Sequence, residues 1–195
     1  LTMERRIPGG VTNWRLLGSA VEGRTVADWN DDFYTAGFPG SNFPDFYSPV
    51  GSNNLWPSVR WYDESVEGSD VDAGLKGVSG TGQSLEPGRG YAVWSGDAMG
   101  GTNAFWVDVT GVPVIAHSPV QLPMSHTDSG NPEADGWNLV SNPLPSPIAF
   151  SAINKGADVR NGYYVYDPVS GSTVYWDQDL GLSSLEGALN GVIQS

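Results

Sequence analysis

Residues 13–21 read NWRLLGSAV and residues 136–144 read GWNLVSNPL, two statements of nearly the same block. Trp14 aligns with Trp137, Leu16 with Leu139, Leu17 with Val140, Ser19 with Asn142 and Val21 with Leu144, at a constant offset of 123. A chain that repeats a block should fold both copies by the same local rules, which narrows it to architectures built from related units. In each copy an aromatic-led, alternating run predicts a strand. A turn follows, and then a short segment, TVADWNDDF or SPIAFSAI, that suits one or two helical turns. Thr25 and Ser146 are the candidate N-caps there, and Pro147 suits a first helical position.

Two more blocks recur in the same order. VRWYDE (59–64) matches YYVYDP (163–168), and SDVDAGL (69–75) matches WDQDLGL (176–182), with D-x-D-x-G-L in common. The offset falls to 104 and then 107 because the first copy carries an extra loop, roughly residues 37–56. Three matched blocks predict an internal duplication, with a first β unit over 1–135 and the start of a second, related unit over 136–195, the two packing as separate units or as one domain. After its D-x-D-x-G-L the first copy runs on to SLEPGRGYAVWSG (84–96), whereas the second reaches LNGVIQS where that turn and strand are due. The expectation is a chain cut before its closing strand. Its open edge would be met by downstream domains of a longer chain or by another molecule, with self-assembly as one outcome.

Gly (26) and Pro (14) together make up about a fifth of the 195 residues, a proportion that suits many turns and few helices. Strands are expected near 2–7, 13–20, 57–63, 89–95, 103–110, 112–117, 119–125, 137–141, 162–167 and 172–176. The expected fold is all-β: an antiparallel sandwich or jelly roll with an internal pseudo-repeat, Trp14 and Trp137 serving as twin core anchors. An open barrel is the alternative. Nine Lys and Arg stand against 22 Asp and Glu, a formal charge of −13, and no cationic run exceeds Arg5-Arg6. Nucleic acid and anionic membrane surfaces are therefore poor partners. No apolar run is long enough to insert in a membrane, and with no cysteine the redox compartment leaves no mark.

ERRIPGG (4–10) ahead of WRLLGSAV (14–21), SLEPGRGYAVW (84–94) and GWNLVSNPLPSPI (136–148) together carry a family resemblance. The chain resembles β-rich regions of large Bacteroidota proteins that leave the cell by the type IX secretion system and carry a C-terminal sorting domain. Similar regions open on a "verifiP…WRLlgsPv" block, continue through "sLepGrGYfvy" and "GWNLvgNPyPspi", and usually add a "GqgFfV" strand, which is not found here. The resemblance implies an extracellular or cell-surface β module within a larger, often adhesin-like protein, and it brings no catalytic residues with it.

Site candidates are few. Asp70/Asp72 and Asp177/Asp179, in the two D-x-D-x-G turns, are the Ca²⁺ candidates, since Ca²⁺ takes six to eight oxygens and an Asp-rich turn supplies several. The later ligands of an EF-hand loop are missing, and a solvated acidic turn is the stronger reading. Asp28, Asn30, Asp31 and Asp32 read as a capped, solvated helix end. His117 and His126 lack metal-ligand spacing. GVSGT (77–81) fails the G-x-S-x-G pattern, and GTGQSLEPGRG (80–90) lacks the ending of a phosphate loop. No cofactor is expected. The favoured reading is a non-catalytic extracellular module, structural or adhesive. The alternative is a carbohydrate-binding module that uses Tyr47, Trp56, Trp61 and Trp176 and displays two or three coplanar exposed rings. A glycan-active enzyme with a carboxylate pair is a third.

Overall fold

Alternation in residues 105–110 becomes a regular half-buried strand. In the computed structural model, which describes residues 1–48, 53–68, 70–96, 101–114 and 119–194, β9 (Phe105–Thr110) buries Phe105, Val107 and Val109 and exposes Trp106, Asp108 and Thr110. It pairs antiparallel with β1 (Thr2–Ile7), Ile7 lying opposite Phe105 and Met3 opposite Val109. The largest sheet contains β2 (Asn13–Leu17), β5 (Val59–Tyr62), β6 (Leu75–Gly77) and β8 (Tyr91–Ser95) in the order β2-β8-β5-β6, every pair antiparallel. A second sheet is the meander β12 (Gly162–Asp167), β13 (Ser172–Asp177) and β14 (Leu182–Ser183). Two-residue ladders join β3 (Val21–Glu22) to β10 (Val112–Pro113), β4 (Arg24–Thr25) to β7 (Ser84–Leu85), and β11 (Ile148–Ala149) to β15 (Val192–Ile193). Helix among the described residues is confined to 3₁₀ turns at Val26–Trp29, Val71–Gly74 and Phe150–Ala152. The architecture is all-β and antiparallel, consistent with a β-sandwich.

The hydrophobic core draws on both ends of the first 110 residues. Ile7, Leu17, Val21, Val26, Trp29, Phe33, Phe38, Val59, Leu85, Tyr91, Val93 and the inward side of β9 form one buried cluster. Its centre is aromatic: the Trp29 ring meets Tyr91 edge-on at 5.7 Å, and Phe33 lies 6.2 Å from both Trp29 and Phe105. The Tyr91 hydroxyl, at the rim, donates to the Ser84 carbonyl and accepts from the Glu86 N–H, so burial of the ring leaves no polar atom stranded.

Strand β2 faces the opposite way from its simplest reading. A W-x-L pattern suggests Trp14 and Leu16 inward, yet Arg15 and Leu17 are the buried pair, at 6% and 4% exposure. The Arg15 guanidinium is held by carbonyls: it donates to the oxygens of Ser95, Val11 and Asn13. Those bonds fasten the end of β8 and the turn before β2, and they let a cation sit in the interior without a carboxylate. Trp14 therefore lies on the outer face, half-buried, and Trp137 is half-buried too. Neither indole is in the core; the fully buried one is Trp29.

Several other expectations are corrected. Residues 119–125 form no strand, since Pro119 and Pro123 cannot donate to a ladder. Residues 137–141 contribute only a bridge from Val140 to Arg89. Instead, the Asn138 side chain exchanges bonds with Ser125, accepting from its N–H at 3.0 Å and donating to its carbonyl at 2.8 Å. Ser146 caps no helix: its carbonyl accepts from Asn142 Nδ2, and the 3₁₀ turn begins at Phe150 after Ala149. His117 and the end of the expected strand 112–117 lie outside the described residues.

The two similar sequence blocks share one local feature, a short ladder beside a 3₁₀ turn. Val26 N–H donates to the Gln83 carbonyl beside β4-β7, and Phe150 N–H donates to the Gly191 carbonyl beside β11-β15. They part around the tryptophans, Trp14 packing on Trp56 and Trp94 but Trp137 on Tyr164. Residues from the second block also lie against the first: Gly90 N–H donates to Leu139 O, Ser141 N–H to Gly88 O, and Asn13 Nδ2 to Pro168 O.

The DWNDD cluster is partly structural. Asp28 accepts from the Thr25 N–H at 2.8 Å, closing the start of the 3₁₀ turn, and pairs with Arg24 at 3.3 Å. Asp32 accepts from the Asp108 N–H at 3.0 Å and so ties that turn to β9. Burial, with the nearby charges of Asp108 and Asp31, pushes the Asp32 carboxyl up to about 6, against the pull of the Asp108 N–H. A carboxyl with a raised folded pKa favours the protonated protein, so stability falls as pH rises from about 4 to about 6. Asp32→Asn keeps an acceptor for the Asp108 N–H and removes the charge. It should gain about 1–2 kcal/mol at pH 7.5, a figure discounted for partial solvent access, and little at pH 4. Thermal melts at the two pH values check this; a gain of equal size at both would overturn it.

Candidate functional site

The outer face of the largest sheet is made by alternation. With Arg15, Leu17, Val59, Tyr91 and Val93 turned to the core, Trp14, Trp94 and Arg60 are turned the other way. Trp14 lies directly opposite Trp94 across β2 and β8. The chain between β4 and β5 then doubles back as an arm and sets a third indole on this pair. Trp56 N–H donates to the Phe46 carbonyl at 2.9 Å, Ser48 N–H to Asn54 O at 3.0 Å, and Tyr47 bridges Leu55 in antiparallel register. The three indoles meet at 5.3, 5.6 and 5.6 Å, tilted by 44°, 77° and 82°. Phe46 meets Trp56 edge-on at 5.8 Å. Such tilted contacts are each worth about 0.5–1.5 kcal/mol beyond area burial, so the rings hold one another in a cup and are not coplanar.

Arg60 sits within this cup. Its guanidinium carbon lies 4.8 Å from the Trp14 ring centre and 5.5 Å from that of Trp56, within cation–π range. Its Nε donates to the Pro57 carbonyl at 3.1 Å. Among the described residues, the ion pairs are Arg24–Asp28 and Arg89–Glu86, and Arg60 joins neither. Phe46, Tyr47 and Leu55, on the arm beside it, are 44%, 50% and 43% exposed.

The base of the arm is tightly fixed. Ala36 N–H donates to Ser58 Oγ at 2.8 Å and Ser58 N–H to the Ala36 carbonyl at 2.9 Å. Thr35 Oγ1 donates to Asn30 Oδ1 at 2.7 Å, and the Thr35 N–H donates to Asn42 Oδ1 at 2.8 Å. Gly37 has φ +80°, and a Cβ there would fall 2.1 Å from the Trp56 carbonyl oxygen, so only glycine lets the two sides of the base approach.

Of the four aromatic candidates, the structure brings Tyr47 and Trp56 together on this arm and sets the others elsewhere. Trp61 packs against the core, with the Arg89 guanidinium carbon 5.0 Å from its ring centre. Trp176 is 8% exposed and is closely overlain by Gly191. Trp176 is thus enclosed, and Trp61 is half-buried away from the arm. Trp14, Trp94, Phe46 and Arg60 join the candidate cup without having been singled out as site residues in the sequence. The aromatic-rich stretch 37–57 was the one available signal, because the meeting of its rings with β2 and β8 is tertiary.

The acidic pairs serve their own turns. Asp70 accepts from the Asp72 N–H at 3.0 Å. Asp177 accepts from the N–H groups of Asp179 and Leu180 at 2.9 and 3.0 Å, while Asp179 accepts from Asn161. Among the described residues no group of three or more Asp, Glu or His is placed to hold a metal ion. His126 is exposed beside Gly136.

The most enclosed carboxylate is Glu64, 9% exposed. It accepts from Thr127 N–H at 2.6 Å, Thr127 Oγ1 and Ser125 Oγ at 3.0 Å each, and Gly136 N–H at 3.1 Å. Burial pushes its carboxyl up, but these bonds together outweigh burial and hold it below the usual carboxylate range. Glu64 thus binds residues 125–136 to the end of β5. Comparison with family models, curated proteins and solved structures found no match to this chain.

Proposed function

We propose that the chain is a non-catalytic, adhesive β module of a larger bacterial surface or secreted protein, and that it makes contact through the indole cup. One observation carries this reading: Trp14, Trp56 and Trp94 are locked together half-exposed beside the exposed Phe46 and Tyr47. Rings kept rigid by each other lose little entropy when a partner lands on them, and apolar surface gathered next to polar rim groups is a common contact surface. The likeness of residues 4–21, 84–94 and 136–148 to exported Bacteroidota modules supports the extracellular setting. The charge of −13 disfavours nucleic acid as a partner.

The rings lack the coplanar platform expected of a module that binds the flat face of a polysaccharide, so the carbohydrate we propose as ligand is one sugar unit seated among them by stacking of its C–H faces on indole. Tryptophan fluorescence titrated with a panel of plant, algal and bacterial polysaccharides tests this. At least one should shift the emission, and Trp56→Ala and Tyr47→Ala should each weaken that response about tenfold or more while the far-UV spectrum is kept. If no polysaccharide shifts the emission, or both variants respond like the parent, the cup is not the contact surface.

A further inference from the structure

Arg60 narrows the ligand. A cation packed beside two touching indoles, in a chain whose formal charge is −13, is a local exception to the field around it. The charge of Asp72 acts on it, but it has no ion pair among the described residues, and its one recorded hydrogen bond there uses Nε, leaving the two terminal nitrogens of the planar fork. That fork matches a carboxylate in bidentate fashion, and an arginine stacked on aromatic rings is already ordered for it. The rings are tilted into a cup, so they suit one sugar residue or a chain end better than the flat face of a long polymer. The Debye length at physiological salt is about 8 Å, so the acidic remainder of the surface disfavours a ligand dense in negative charge far more than one bearing a single anion.

We infer that the indole cup takes a pyranose carrying a single carboxylate, a uronic-acid residue, its ring on the indoles and its carboxylate on Arg60. This rests on the reading of the cup as a carbohydrate contact surface and adds the chemistry that selects the ligand.

The test uses a xylo-oligosaccharide bearing one glucuronate against the same oligosaccharide without it, by isothermal titration with a chelator present to exclude bridging by divalent cations. The charged sugar is expected to bind at least tenfold more tightly. Arg60→Gln should weaken the charged sugar about ten- to a hundredfold, the range of one charge-assisted contact, and so bring the two sugars to within about threefold of each other, whatever it does to the neutral one. Arg60→Lys, which keeps the charge and loses the fork, should recover part of the loss. Equal affinity for the two sugars, or equal loss of both in Arg60→Gln, would overturn the uronate inference and leave the adhesive reading standing. Absence of binding by these two and by the whole polysaccharide panel would remove both. Should Arg60→Gln fail to fold, the ratio of the two affinities in the parent protein decides alone.

Discussion

Trp29→Ala is expected to lose about 3–5 kcal/mol of folding stability, the usual cost of removing a buried indole. Trp29 is 1% exposed and packs against Tyr91 and Phe33, which in turn support Phe105. The aromatic rings around it are anchored: Tyr91 is tied by its hydroxyl and Phe105 by the β1-β9 ladder, so the space left has little freedom to collapse. Trp106→Ala is the matched control, because that indole is 55% exposed on the outer side of β9. It should change stability by less than about 0.5 kcal/mol. Urea denaturation of both variants gives the comparison. A similar cost at both positions would mean that the core is not organised around Trp29.

The second large effect belongs to Glu64. Glu64→Ala removes the acceptor of four hydrogen bonds and should destabilise the protein by about 2–4 kcal/mol, given that bonds to a charged group are each worth about 1.5–3 kcal/mol and water replaces part of the loss. The damage should be local first: amide exchange should quicken at Thr127 and Gly136 before it does in β8. Its pH dependence is opposite in sign to that of Asp32. A carboxyl whose folded pKa is depressed contributes stability above its unfolded value, near 4.3, and loses it as pH falls through the folded value. The gap between parent and Glu64→Gln should thus be full at pH 7 and close below about pH 4. A gap that persists in acid would mean that the carboxylate charge is not what holds residues 125–136.

How much of this could be read from the residues depends on what each signal reports. Alternation in residues 105–110 reports burial directly, because both faces of β9 obey solvent. It failed in β2, where the buried side chain is an arginine whose terminal nitrogens bond carbonyls brought from Val11 and Ser95, contacts that no local pattern encodes. Similarity of blocks suggested a short helical segment after each, and 3₁₀ turns form at Val26–Trp29 and Phe150–Ala152; the ladders beside them were not foreseen. It misjudged Trp14 and Trp137, since an indole is apolar enough for a core and also suited to a half-open face. Proline in residues 119–125 was underweighted against the apolar residues around it. Of the candidate cup, Tyr47 and Trp56 stood out by residing in an overlong aromatic connector, whereas Trp176 is buried and Trp61 packs half-buried against the core. Arg60 carried no mark at all until Trp14 and Trp56 were seen packed together beside it.

The fixed base of the arm has a consequence for diversification. Gly37, Ser58 and Thr35 secure the connector by backbone contacts and short polar bonds that do not involve Phe46, Tyr47 or Leu55. Substitutions at Tyr47 and Leu55 are therefore expected to leave the mount intact, whereas Phe46 also braces Trp56. The same separation makes this connector a natural place to graft a new recognition sequence.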